Sequence, residues 1–262
     1  MSDEDISIDE KRVYADKAET TTAFVATGVG VARVEVSDDI VGEFALEHRG
    51  AATDLAAADG RLAVATPEDV LVSDGESFAE TGFGPADAVG FHDGFVAAGD
   101  GTVARLSDGE WTTLGQVEDV RSIDGDMVAA ASGVHRLDGT HVGLDGANDV
   151  STVADPLAAT DGGLYYLANG WMAAADGAFE VVAGRADGRA HAATAESLYE
   201  RAAEGEAWTP VDLPAGGPVA DVAYGDATYA VTRDGTFLAD AGDGWRHRSL
   251  GLPDVSAVAV VY

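Results

Sequence analysis

Residues 52–84 read ATDLAAADGRLAVATPEDVLVSDGESFAETGFG, four short apolar stretches split by turn residues. Residues 86–115, ADAVGFHDGFVAAGDGTVARLSDGEWTTLG, and residues 219–251, VADVAYGDATYAVTRDGTFLADAGDGWRHRSLG, are its clearest further copies. An aspartate comes round at Asp54, Asp87, Asp119, Asp155, Asp187 and Asp221, each before an apolar run, which sets an internal repeat of about 34 residues.

Asp-Gly recurs about a dozen times, among them Asp59-Gly60, Asp93-Gly94, Asp108-Gly109, Asp138-Gly139 and Asp176-Gly177. Both positions of this dipeptide tolerate positive φ, the requirement of a two-residue hairpin turn. The abundant alanine favours helix, but turn signals fall every 8–12 residues, too close for ordinary helices, and Val, Tyr, Phe and Thr fill the runs. The stretches are therefore strands of antiparallel meanders, with alanine the small residue where strands crowd.

A single meander cannot bury both faces, so successive copies must stack, and radial closure removes the open ends of a linear stack. The expectation is an all-β, seven-bladed β-propeller of four-stranded antiparallel blades, with units beginning near Lys11, Ala51, Pro85, Val117, Val153, Arg185 and Pro218. Six or eight blades are the alternatives. Residues 1–10 form an acidic tail and 11–262 the propeller domain, whose leftover strand at 255–262, VSAVAVVY, closes the ring with blade 1. RVYADK competes with that strand for the innermost place, and GTHVGLDGANDVST after Gly139 is longer than its equivalents.

Fifteen basic residues face 47 acidic ones, for a formal charge of −32, and Lys11 and Lys17 are the only lysines. The acids are dispersed between apolar runs, so a core still forms and the excess belongs to the surface. Such repulsion opposes compaction in dilute buffer, whereas at 1 M salt the Debye length falls to about 3 Å. Molar salt is the expected solvent; an acidic protein that binds cations or basic partners is the other reading of this charge. No basic stripe is present to neutralise the phosphates of a duplex nucleic acid.

The start, MSDEDISIDEKR, lacks the pattern of an export signal, and no apolar run approaches a membrane span. Cysteine is absent, which excludes disulfides and thiolate chemistry. A cytoplasmic monomer without membrane contact is expected.

An aromatic residue marks the fourth strand at Phe78, Trp111, Phe179, Trp208 and Trp245. With its preceding turn, as in SDGEW, it resembles a degenerate Asp-box, a structural turn of sialidase-like propellers. Over its length the chain resembles an uncharacterised haloarchaeal family of β-propeller proteins, through RVYADK, TTAFVATGVGVARVEV, VVAGRADGRAHAAT and PVADVAYGDATYAVTRDGTFLAD. That resemblance implies the propeller and a salt-rich source, and carries no functional residue.

The six repeated aspartates are expected at the starts of innermost strands, gathered at one channel mouth. There they are candidates to hold Ca²⁺ or Mg²⁺, or, in the structural alternative, acceptors of local backbone N–H groups. No other cofactor is indicated. Arg33, Arg105, Arg136 and Arg201 fall in third strands, too far apart to converge, and read as solvent-face partners of Asp and Glu. Residues that break the repeat are candidates for a ligand site: His92, Arg185, Arg189 and His191, with Asp187, His92 and His191 able to serve acid-base work or metal ligation if their loops share a mouth. Tyr165, Tyr166 and Trp171 lie in the preceding blade. His135, His141 and His247 read as surface residues, and Gly28-Val29-Gly30 as a GxG without the helix that phosphate binding needs.

The function expected from these features is a non-enzymatic propeller scaffold that binds a protein or small ligand through a loop face or channel mouth. The alternative is a metal-assisted hydrolase, lactonase or lyase at the channel mouth. Propeller lactonases resemble it in architecture but recruit Asn, and Asn148 and Asn169, the only asparagines, fall outside the expected innermost strand starts.

Overall fold

The computed structural model describes residues 20–75 and 77–261; the acidic tail and RVYADK lie outside them. Seven four-stranded antiparallel sheets are arranged as blades around an axis. From blade 1 to blade 7 the innermost strands are Ala257–Val261, Asp54–Ala58, Ala88–Phe91, Val120–Asp124, Ala147–Ser151, Phe179–Gly184 and Val219–Tyr224. Each touches the next round the ring, the last touching the first. Blade 1 is composite: Val258 lies opposite Val25 and Val260 opposite Ala23, so the C-terminal strand takes the innermost place beside Thr20–Thr27. Among the described residues no helix is long and apolar enough to cross a membrane.

The turns behave as their residues require. Asp59 and Gly60 both take positive φ (53° and 71°), as do Asp108 and Gly109 (53° and 82°). These are the left-handed conformations of a tight hairpin, whose twist matches the flanking strands. At Asp138-Gly139 and Asp176-Gly177 only the glycine does so, at 86° and 131°.

A blade is covered on both sides, so its middle strands lose the apolar-polar alternation of a half-exposed sheet. Side chains still alternate between the two neighbours. Val25 points into the seam with blade 7, among Val34, Tyr229 and Phe237, while Ala26 points into the seam with blade 2, among Leu62 and Val64. Every seam holds such a cluster. Ala63, Ala97, Ala129, Ala159, Ala192 and Ala230, all in second strands, are completely buried. There the blades converge and a larger side chain would force them apart. Gly90 carries the same constraint further: a Cβ there would sit 2.6 Å from Ile123 Cγ2 of blade 4.

The expected register slips in two blades. Blade 5 begins at Ala147 and blade 6 at Phe179, about six residues ahead of Val153 and Arg185. Phe179 therefore lies in an innermost strand, and the aromatic opening the outer strand of blade 5 is Trp171. Phe78 and Trp111 stand in outer strands as expected, with Trp208 and Trp245 one residue before theirs.

Candidate functional site

The innermost strands enclose a central channel of about 560 Å³. The inner edge of each strand faces the axis, where its N–H groups have no neighbouring strand to pair with. Three blades supply, from one position, an acceptor to the next blade. Asp54, Asp149 and Asp221 occupy one position, each followed by Leu or Val, and Oδ1 of each accepts the N–H of that next residue at 2.8, 2.8 and 2.7 Å. Oδ2 crosses the seam, accepting the N–H of Val89 at 2.9 Å, Val182 at 2.8 Å and Val258 at 2.8 Å. The Ser122 hydroxyl donates to Asp149 Oδ1 at 2.5 Å, joining blade 4 to the same carboxylate. Lower in the channel, Asp124 Oδ2 accepts the N–H of Thr152 at 2.6 Å, and Ser151 Oγ accepts that of Gly184 at 3.0 Å.

These carboxylates are surrounded by protein while facing the lumen. Burial pushes Asp54 and Asp149 up to about 7, against the pull of their N–H donors, and Asp149 repels Asp54. Asp221 is raised well above the ordinary carboxylate range, again by burial first, with repulsion from Asp149 and Asp54 added. Charge on the wall is thus opposed by desolvation and supported by main-chain hydrogen bonds.

The six aspartates expected at one mouth are distributed differently. Asp54 and Asp221 lie in the wall. Asp87 and Asp119 are exposed, just ahead of the innermost strands of blades 3 and 4. Asp155 and Asp187 follow the innermost strands of blades 5 and 6, at the opposite face, as a result of the register slip. Asp187 accepts the Arg189 N–H at 3.1 Å and lies 3.5 Å from Arg185. Sequence reasoning missed two wall aspartates, Asp124 and Asp149, of which Asp149 shares the position of Asp54 and Asp221. Asn148-Asp149-Val150 matches Thr53-Asp54-Leu55 and Ala220-Asp221-Val222, the signal that would have found Asp149; Asn148, expected outside the innermost strand starts, is instead the second residue of that strand in blade 5.

Asp155 instead meets Arg201 in a fork: Nη1 to Oδ2 at 2.9 Å and Nη2 to Oδ1 at 2.8 Å. The Arg201 side chain is only 5% exposed and stacks over Trp208 at 5.5 Å. This corrects the reading of Arg201 as a solvent-face residue; its charge is held where the hairpin of blade 5 meets blade 6. Arg33 and Arg136 keep the expected surface roles, pairing with Glu35 and Glu47 and with Asp126 respectively. Arg105 lines a groove beside His92 and Arg136.

The acid-base set is not brought together. His92 is on the first hairpin of blade 3, 3.9 Å from Asp93, three blades from His191. His191 is 2% exposed, packed edge-on to Trp245, with Nδ1 2.7 Å from the Tyr224 hydroxyl. Burial, with Arg189 nearby, lowers its pKa to about 4, so the ring is neutral. Arg189 pairs with Glu200 at 3.5 Å. Tyr165 and Tyr166 lie in the third strand of blade 5. Among the described residues no group of three or more His, Asp or Glu is gathered as a metal site.

A disc of seven meanders closed by its C-terminal strand defines the chain as a β-propeller protein. It belongs to the family described as "Beta-prop_HVO_0234:-like, beta propeller", which matches residues 7–261. No curated protein matches it. Among solved structures it is similar to YCF48 from Cyanidioschyzon merolae, at 16% identity and TM-score 0.57, covering 78% of this chain and 86% of that one. The WD40 β-propeller domain of Doa1 gives 12% identity, TM-score 0.57 and coverage of 87% and 88%. The extracellular domain of BT4673 from B. thetaiotaomicron gives 10% identity and TM-score 0.61, with 87% of this chain spanning 37% of that one. At these identities the likeness is one of fold.

Proposed function

We propose that this protein is a non-enzymatic binding scaffold that presents a channel mouth to a protein or small ligand in a salt-rich cytoplasm. The observation that carries this reading is the commitment of Asp54, Asp149 and Asp221, each of which spends both carboxylate oxygens on main-chain N–H groups, one of them in the next blade. Groups so used brace a ring. The side chains left to a partner are those at the rim. Where the innermost strands begin, Arg121 of blade 4 is exposed beside Asn148, and Arg233 of blade 7 pairs with Glu180 of blade 6 at 2.8 Å. On a disc of net charge −32, Arg121 and Arg233 are cationic side chains at this rim, each suited to an acidic contact.

The test is affinity capture in molar KCl with the wild type and with Arg121→Ala combined with Arg233→Ala. A ligand retained by the first and released by the second supports the proposal. Capture indifferent to these changes would count against it. So would Ca²⁺- or Mn²⁺-dependent hydrolysis of lactones or esters that Asp149→Ala abolishes, which would favour the metal-assisted enzyme.

A further inference from the structure

The outer edge of blade 4 sets two histidines face to face. His135 lies in the third strand, Gly133–Arg136, and His141 in the outer strand, His141–Gly143. Val134 is opposite Gly143, but His135 is opposite His141, so Val142 is an extra residue on the outer strand. Such a bulge re-aims the side chains beside it. Its carbonyl is held from blade 5 by Trp171 Nε1–H at 3.0 Å, which fixes the bulge in place. Without it His141 would fall out of register with His135.

The hydrogen bonds then fix both ring tautomers. His135 Nδ1 is 3.3 Å from the Gly139 carbonyl and His141 Nε2 is 3.2 Å from the Leu144 carbonyl. A carbonyl only accepts, so these two nitrogens carry the protons. The lone pairs are left on His135 Nε2, which receives the Ser132 hydroxyl at 2.8 Å, and on His141 Nδ1. A metal-ligating imidazole is oriented in the same way, its other ring N–H donated to a backbone carbonyl. Glycine at 133 makes room for it: a Cβ there would sit 2.7 Å from His141 Nε2 and 2.1 Å from the Leu144 carbonyl oxygen. The ring centroids are 5.0 Å apart with planes at 64°. Two imidazoles sharing one ion through bonds of about 2.1 Å at a tetrahedral angle have centroids about 5 Å apart.

The geometry points to a two-histidine site for a divalent transition-metal ion, Zn²⁺, Ni²⁺ or Cu²⁺, bound through His135 Nε2 and His141 Nδ1 with solvent completing its coordination. The incoming ion displaces the Ser132 hydroxyl from His135. His141 and Ser132 are exposed and His135 half-buried, so the ion arrives directly from solvent. The imidazole nitrogens select among cations, since Mg²⁺ and Ca²⁺ prefer oxygen. This site is separate from the channel and independent of the role proposed for it.

The test is calorimetric titration of untagged protein with ZnCl₂ in molar KCl and excess Mg²⁺, with histidine ring NMR signals followed in parallel. The expected result is one ion per chain, with the signals of His135 and His141 moving together and those of the other four of the six histidines unmoved. His135→Gln and His141→Gln should each weaken binding by at least about tenfold. Circular dichroism reports whether these edge variants stay folded. Binding unchanged in both variants, shifts at other histidines, or no binding in the wild type would overturn the site.

Discussion

Asp149 accepts the backbone N–H of Val182 at 2.8 Å, from a residue 33 positions later and one blade further round the ring. Asp54 does the same for Val89 across 35 positions, and Asp221 for Val258 across 37. The repeat length is thus the sequence distance spanned by one physical interaction. These side chains stand in for the backbone ladder that innermost strands of adjacent blades lack.

The braces give the ring a pH dependence. A carboxyl raised to about 7 in the fold, as at Asp54 and Asp149, stays protonated over a range where the unfolded chain has already released its proton. Stability from these groups is therefore full below about pH 4 and declines as pH rises to about 7, by about 1.4 kcal/mol for each unit of difference. His191, lowered to about 4, acts oppositely below about 6.5, but one imidazole faces three carboxyls. Melts in molar KCl should show lower stability at pH 8 than at pH 5. Asp149→Ala, which strips the acceptor from Val182, should cost about 1–3 kcal/mol at pH 5. Its deficit should narrow by pH 8; parallel curves for variant and wild type would refute the linkage.

Arg201 gives a sharper prediction. Its charge is almost fully buried and balanced by Asp155, itself 12% exposed, so Asp155→Ala strands a guanidinium in the seam between blades 5 and 6. Breaking a buried pair on one side typically costs about 3–5 kcal/mol. At about 2–4 °C per kcal/mol for a chain of this size, the melting point should fall by about 10 °C. The double replacement Asp155→Ala with Arg201→Met should recover most of that loss. A drop no greater than that of Asp126→Ala, which removes the exposed partner of Arg136, would show that burial adds nothing.

The contrast between Asp149 and Asp155 shows where the sequence was legible. Turns were readable because Asp-Gly has few backbone options, and ring closure because the apolar run at 255–261 reads as an innermost strand additional to the repeated copies. Blade 5 was misread because its innermost strand, Ala147–Ser151, contributes only Ala147 and Val150 to an apolar cluster and spends its other positions on the channel. Asp155-Pro156-Leu157 offered a more conventional start. The histidine pair was invisible for another reason: Val142 is an ordinary strand residue, and nothing local announces that Trp171 pins it as a bulge.

Salt should act on the whole molecule. With a net charge of −32 on a chain of 26.7 kDa, repulsion among surface carboxylates grows as the Debye length rises from about 3 Å at 1 M to about 10 Å at 0.1 M. Exposed ion pairs such as Arg33–Glu47 at 3.3 Å are too few and too weak to offset it. Melting temperature should fall steadily as KCl is lowered over that range. A flat profile in circular dichroism and calorimetry would remove the halophilic reading.

The C-terminal strand carries the final prediction. Ala257–Val261 buries Val258 and Val260 against blade 7 and Ala257 and Ala259 against blade 2, and its Val258 N–H is the one held by Asp221. Deleting residues 255–262 removes these contacts together and bares the inner edge of Thr20–Thr27, an unpaired edge rich in apolar residues. The outer rim of that seam keeps Arg246 Nε donating to Asp39 at 2.5 Å, but the arginine is 62% exposed and such a pair holds little. The truncated chain should lose its cooperative melt and form oligomers through the bared edge, seen by light scattering after size exclusion in molar KCl. A truncated chain that stays monomeric and melts in one sharp step would mean that the seven blades hold their ring without the closing strand.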